Sequence, residues 1–182
     1  MAQAPSISEA DINNMFAVNV HGLINMTQAI LPIFKARDSP TYPGGRGDII
    51  NIGSIAGREG YPGGSIYCAT KAAVRTFGEA LRKELVATRI RVMEVCMLGG
   101  VSSVVSHSVL TIHSQVDPGQ VETEFSVVRF GGDREKAAKV YEGVEPLTPE
   151  DVAEVVIFMA GRRENVVVAD VLLFPNHQVS FV

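Results

Sequence analysis

The sequence contains no tryptophan, two cysteines and, from Val95 to Val116, not one Asp, Glu, Lys or Arg. Each shortage excludes something. Cys68 and Cys96 are too few for a disulfide framework and do not stand at metal-ligand spacing, so a reducing, cytoplasmic compartment is the expected setting. The formal net charge of -4 leaves no basic surplus. A nucleic-acid partner and a polybasic membrane patch are therefore not expected. The charge-free stretch is long enough to raise the question of a membrane span, which needs roughly 20 mostly apolar residues. Ser102, Ser103, Ser106, Ser108, Ser114, His107, His113 and the Gly99-Gly100 pair break its apolar character, so no membrane segment is expected. The opening MAQAPSISEADINN is polar and acidic, unlike a signal or transit peptide.

What is present reads as alternating helices and strands. Ser8 is a candidate N-cap with Asp11 three residues on, and apolar residues follow at near-helical spacing: Ile12, Met15, Phe16, Leu23, Ile24, Ile30 and Leu31. PTYPGGRG, residues 40–47, is a loop by its breakers. DIINIG, residues 48–53, has the continuous apolar character of a strand covered on both faces. A loop over 58–64 leads to a second helix with the stripe Ile66, Ala69, Ala73, Val74, Phe77, Leu81 and Leu85. IRVMEV, residues 90–95, is a second strand. Thr148 caps a third helix, with Pro149 at its first position and Asp151 closing a capping box; Gly161 ends it, and VVVADVLLF, residues 166–174, is the last strand. At 182 residues this is one domain of the α/β class, with a parallel sheet carrying helices on both faces.

Three side chains carry candidate chemistry. Tyr67 and Lys71 are four apart on the second helix and share a face. Ser54 follows the end of the strand DIINIG, where open α/β sheets place ligands, and precedes Tyr67 by thirteen residues. A YxxxK pair alone is commonly a surface pair; its spacing from Ser54 raises its meaning. A phenol can exchange a proton with a carbinol or carbonyl oxygen. Its free pKa near 10 is too high for a base at neutral pH, and a nearby ammonium favours the phenolate. The Ser54 hydroxyl is suited to hydrogen-bond the reacting oxygen. His21, His107, His113 and His177 are scattered without ligand spacing, and no metal is expected.

NIGSIAG, then SIYCATKAAVRTFGEALRKEL, then DPGQVETEF resemble, in order and at family spacing, the catalytic half of a short-chain dehydrogenase/reductase. FAVNVHG resembles the family's Asn-Val-x-Gly segment. The resemblance implies Asn19 as a fourth catalytic residue, Tyr67 as acid/base, Ser54 as the residue orienting substrate, and Lys71 as the holder of the nicotinamide ribose. It also implies cofactor contacts from Pro118, Gly119, Val121 and Thr123. VETEFSVVRF and VVVADVLLFPNHQ are similar to the NADP-dependent 3-hydroxy acid dehydrogenases, the branch that includes serine and allo-threonine dehydrogenases. The implied cofactor is NADP, with NAD not excluded by the residues present. The implied substrate is a small β-hydroxy acid, and the implied assembly is a homo-oligomer, a homotetramer in the complete family member.

Two departures from the family pattern matter. The glycine-rich turn that cradles a pyrophosphate and the strand ending Asn-Asn-Ala-Gly are not found in residues 1–182. The expected fold is therefore the C-terminal part of a Rossmann-type doubly wound parallel sheet, a partial domain over 1–182 without its N-terminal βαβ half. Weak dinucleotide binding is the expectation for such a chain. An inactive remnant, or an interaction module using the two long helices, is the alternative to an active enzyme. Residues 95–115 are the second departure, an insertion between IRVME and VDPGQVETEF. Val95-Cys96 can be encoded GTATGT, Leu110-Thr111 CTNAC and Gln115 CAG, which resemble splice signals. Removing 95–115 leaves the reading frame intact and restores the family sequence. The stretch is therefore read as a retained intron, expected to be loosely packed, and sequencing of the mature transcript tests that reading.

Overall fold

The computed structural model describes residues 7–97, 127, 132–139, 142 and 145–176. Helix α1, Glu9–Phe16, starts where expected. The Ser8 side chain accepts from the Asp11 backbone N–H at 3.1 Å, satisfying one of the donors a helix start leaves open. A π-helical turn, Ala17–His21, separates α1 from α2, Gly22–Lys35. The strands β1, Arg46–Ile52, β2, Arg89–Met97, and β3, Asp170–Leu173, form one parallel sheet in the order β1-β2-β3. Between β1 and β2 lie a short 3-10 turn, Ile55–Gly57, and the long helix α3, Ser65–Glu84. Helices α4, Arg134–Lys139, and α5, Pro149–Ala160, precede β3. The capping box at the start of α5 is complete: Asp151 N–H donates to Thr148 Oγ1 at 3.3 Å and Thr148 N–H donates to Asp151 Oδ2 at 2.7 Å.

Side-chain alternation along β2 splits the core in two. Ile90 and Val92 face α3, packing with Leu81 and Leu85 and with the half-buried Leu31, Phe34, Ile49 and Phe77. Met93 and Val95 face the other way, against Met159 of α5 and the half-buried Ile50, Val152, Val155 and Val156. β2 is thus covered on both faces, as its largely apolar centre requires. Val92, Met93 and Val95 are wholly removed from solvent, each stabilising by about 1.5–3 kcal/mol as an upper bound.

Several details differ from expectation. β1 runs Arg46–Ile52 rather than 48–53, taking in Arg46 and Gly47 from the expected loop over 40–47. Ala69, assigned above to the buried stripe of α3, is exposed, and the neighbouring Thr70 is buried in its place. β3 is shorter than 166–174, running Asp170–Leu173; before it, Val166 O accepts from the Arg91 guanidinium and Ala169 O from both the Glu94 N–H and the Arg82 guanidinium. β2 is longer than 90–95 and runs into the charge-free stretch. Val95 and Cys96 are fully buried there rather than loosely packed, since each is a small side chain that continues the strand pattern. Residues 98–115 lie outside the described residues, and the insertion reading stands on the sequence alone. Among the described residues no helix is long and apolar enough to cross a membrane.

Candidate active site

The site forms where β1 ends and α3 begins. Ser54 is buried in extended backbone and caps the 3-10 turn, its Oγ accepting from the Ala56 N–H at 3.1 Å. That bond uses a lone pair and leaves the hydroxyl proton to be donated elsewhere. The turn is pressed onto α3. A Cβ on Gly57 would stand 2.6 Å from the Lys71 backbone oxygen, and Arg75 Nε donates to Gly57 O at 3.3 Å. Only a residue without a side chain lets these two backbones approach so closely. Gly57→Ala is accordingly expected to destabilise by about 1–3 kcal/mol, because the obstructing atom is backbone. Urea denaturation measures this, and a change under about 0.5 kcal/mol would show that the turn does not need this close approach.

On α3, Tyr67 is half-buried against Ala56, Tyr61 and Cys68. One turn on, Lys71 Nζ lies 5.7 Å from the centroid of the Tyr67 ring and donates to Ile52 O, the last residue of β1, at 3.1 Å. Burial pushes the Lys71 ammonium below the ordinary lysine range, while the charge of Glu94 opposes that shift and Cys96 does so less. Asn19 enters from the π-helical turn, its Nδ2 donating to Thr70 Oγ1 at 3.1 Å. Thr70 Oγ1 in turn donates to Tyr67 O at 2.8 Å. The extra residue in the π turn lets an Asn within a helix point across at α3, a local distortion often found at functional sites. Ser54, Tyr67, Lys71 and Asn19 therefore sit on elements joined by direct contacts. Pro118, Gly119, Val121 and Thr123 lie outside the described residues.

Sequence reasoning missed the polar residues beneath this site. Asn51 stands opposite Glu94 on β2, and Glu94 stands opposite Asp170 on β3, forming one polar row across the sheet. Asn51 and Glu94 are buried. The available signal was a polar residue, Asn51 and Glu94, within the apolar stretch of each strand. Arg58 forms an ion pair with Asp170. The Cys96 thiol donates to Glu94 Oε1 at 3.3 Å and is pushed up to about 11, first by burial and then by the Glu94 charge. Among the described residues no group of three or more His, Cys, Asp or Glu is placed to hold a metal ion.

The profile of the family described as short chain dehydrogenase matches residues 1–111. The chain belongs to the short chain dehydrogenase family. Among this member's relatives is an NADP-dependent 3-hydroxy acid dehydrogenase of Schizosaccharomyces pombe, 53% identical over 168 residues, which cover 92% of this chain and 54% of that protein. A serine 3-dehydrogenase of Rhizobium radiobacter is 30% identical, with 97% of this chain and 59% of that protein covered. Among solved structures, the closed form of a serine dehydrogenase complexed with NADP+ superposes with a TM-score of 0.80 at 36% identity. That match covers 99% of this chain and 62% of the other. The chain thus spans between half and two thirds of the length of these relatives. Its sheet is the corresponding part of a Rossmann-type fold, incomplete relative to theirs.

Proposed function

We propose that this chain is the catalytic portion of an NADP-dependent dehydrogenase that oxidises a small β-hydroxy acid at its β-carbon. The observation that carries the reading is the position of Lys71, beside the Tyr67 ring and bonded to the last carbonyl of β1, two residues before Ser54. The names of the relatives support the cofactor and the substrate class.

The residues present fit a nicotinamide nucleotide. Lys71 commits one of its three N–H donors to Ile52 O, and the others suit the vicinal hydroxyls of a ribose. NADP+, when bound, supplies the acceptor for the hydride that leaves the β-carbon. Tyr67 takes the hydroxyl proton of the substrate as its C–O bond becomes a carbonyl, and releases that proton to solvent. The Lys71 ammonium favours the phenolate that accepts it. Ser54 donates a hydrogen bond to the substrate oxygen and fixes its distance from Tyr67. Asn19, whose Nδ2 donates to Thr70 Oγ1, is the fourth polar residue of the site in this reading. Pro118, Gly119, Val121 and Thr123 complete the nicotinamide contacts in this reading. The coverage of the relatives supports taking residues 1–182 as part of a longer domain.

The test is a chimaera in which the part of the S. pombe relative not matched by this chain is joined to it. Turnover of L-serine or 3-hydroxypropionate with NADP+, followed by NADPH absorbance, is expected. A folded chimaera that binds NADP+ yet turns over no β-hydroxy acid would overturn the substrate assignment. A second reading, an interaction module, draws on the exposed apolar side chains Val18 of the π-helical turn and Met26 and Ile33 of α2. Light scattering distinguishes it: a stable assembly without turnover favours the module.

A further inference from the structure

The polar row under the site has a charge imbalance. Of its two carboxylates, Asp170 is paired with Arg58. Glu94 is 3% exposed and accepts from the Cys96 thiol, a neutral group. A buried carboxylate requires a counter-charge or it destabilises the fold by several kcal/mol. The surrounding cations are already distributed: Arg58 to Asp170, and Arg75 to Glu79 at 2.6 Å. Arg82 of α3 is directed at the carbonyls of Val92 and Ala169, and Lys71 is the cation of that helix placed at the end of β1. Its Nζ binds the carbonyl of Ile52, the residue after Asn51, and Asn51 is directly opposite Glu94.

The packing around Glu94 preserves this arrangement. A Cβ on Gly53 would overlap Glu94 Oε1 and come within 3.0 Å of Cys96 Sγ. A Cβ on Gly78 of α3 would stand 3.0 Å from Asn51 Nδ2 and 3.9 Å from Glu94 Oε2. Two glycines, one just before Ser54 and one on the Tyr67–Lys71 helix, thus leave the space the carboxylate fills.

We propose that Glu94 is a positioning residue for the Tyr67–Lys71 pair, its buried carboxylate supplying the counter-charge that holds Lys71 as an ammonium directed at the end of β1. The juxtaposition stands without the functional reading above; only its consequence for proton transfer rests on that reading. Around Lys71 stand Glu94 and Cys96 from β2 and Tyr67 from its own helix; the neighbouring charges are Arg82 of the same helix, bonded to Val92 O and Ala169 O, and the Arg58–Asp170 pair. Among the described residues Asp170 is ion-paired, with Arg58, and Glu94 is not. The opposing influences on Lys71, burial downward and Glu94 upward, agree with the geometry.

The experiment is an NMR titration of the lysine side-chain ¹³Cε signals in the chain as it stands, with Lys71 assigned by its loss in Lys71→Arg. Glu94→Gln is expected to lower the Lys71 midpoint by about one pH unit or more, the effect of removing a close opposite charge. Glu94→Asp is expected to restore at least part of it. A Lys71 midpoint unchanged in folded Glu94→Gln overturns the proposal, since a merely structural Glu94 would leave it in place. Should Glu94→Gln fail to fold, the coupling is read from the other side, because it is reciprocal. Lys71→Met is expected to raise the carboxyl midpoint of Glu94, and an unmoved midpoint overturns the proposal. These titrations need no turnover, so this inference and the proposed activity fail separately.

Discussion

Replacing Tyr67 by Phe in the active chimaera is expected to lower kcat/KM for the β-hydroxy acid by about 100- to 10,000-fold, or roughly 3–5 kcal/mol of transition-state stabilisation. The substitution removes one oxygen from a half-buried ring packed against Ala56, Tyr61 and Cys68, so the fold should survive. The loss should appear in kcat with little change in KM, because the proton moves only in the transition state. Steady-state kinetics with NADP+ reads both constants. Activity within about tenfold of wild type would assign the proton transfer to another group. Lys71 gives the pH dependence its sign: as pH rises through its lowered midpoint the ammonium is lost, and activity that depends on that cation falls on the alkaline side. Glu94→Gln should bring that fall to lower pH.

Arg91→Met should produce the largest loss of stability, about 3 kcal/mol. Arg91 is 4% exposed on β2 and forks onto both oxygens of Asp48 in β1 at 2.6 Å each. It also donates to Ala160 O at 2.9 Å and to Arg162 O and Val166 O at 3.1 Å each. One guanidinium thus ties two strands to the end of α5 and the approach to β3. Removing it strands the carbonyls it binds and a carboxylate, and breaking a buried pair of this kind costs about 3–5 kcal/mol. Asp48 is about a third exposed, so solvent recovers part of its charge and the lower end applies. Asp48→Asn keeps the carbonyl bonds and should cost less, about 1–2 kcal/mol. Urea denaturation of the two variants decides the point. Equal losses would mean that the carbonyl bonds contribute nothing.

The features legible in the sequence were those fixed by near neighbours. The Thr148–Asp151 box and the Ser8 cap are three-residue signals, and each formed with its expected partner. The strand cores were legible because Val92, Met93 and Val95 admit no polar environment. Ser54, Tyr67 and Lys71 could be singled out because helical periodicity and the end of a strand fix where such residues stand. The Glu94 row was not legible, since it depends on the register between β1, β2 and β3, which no local pattern encodes. The π turn at Asn19 was missed for the same reason. Its sequence, AVNVH, contains no breaker, and the bond that draws Asn19 across goes to Thr70, fifty-one residues away. The carbonyls before β3 likewise meet arginines on other elements, contacts that no local pattern encodes.

The central claim is that hydride moves between a substrate carbon and a nicotinamide while Tyr67 takes the proton. It is tested most directly by incubating the chimaera with NADP+ and a β-hydroxy acid carrying deuterium on the β-carbon, then examining the reduced cofactor by mass spectrometry and NMR. The account predicts one deuterium at C4 of the nicotinamide and none in the wild-type Tyr67 exchange pool released to water. Deuterium found in solvent, with NADPH unlabelled or not formed, would contradict it.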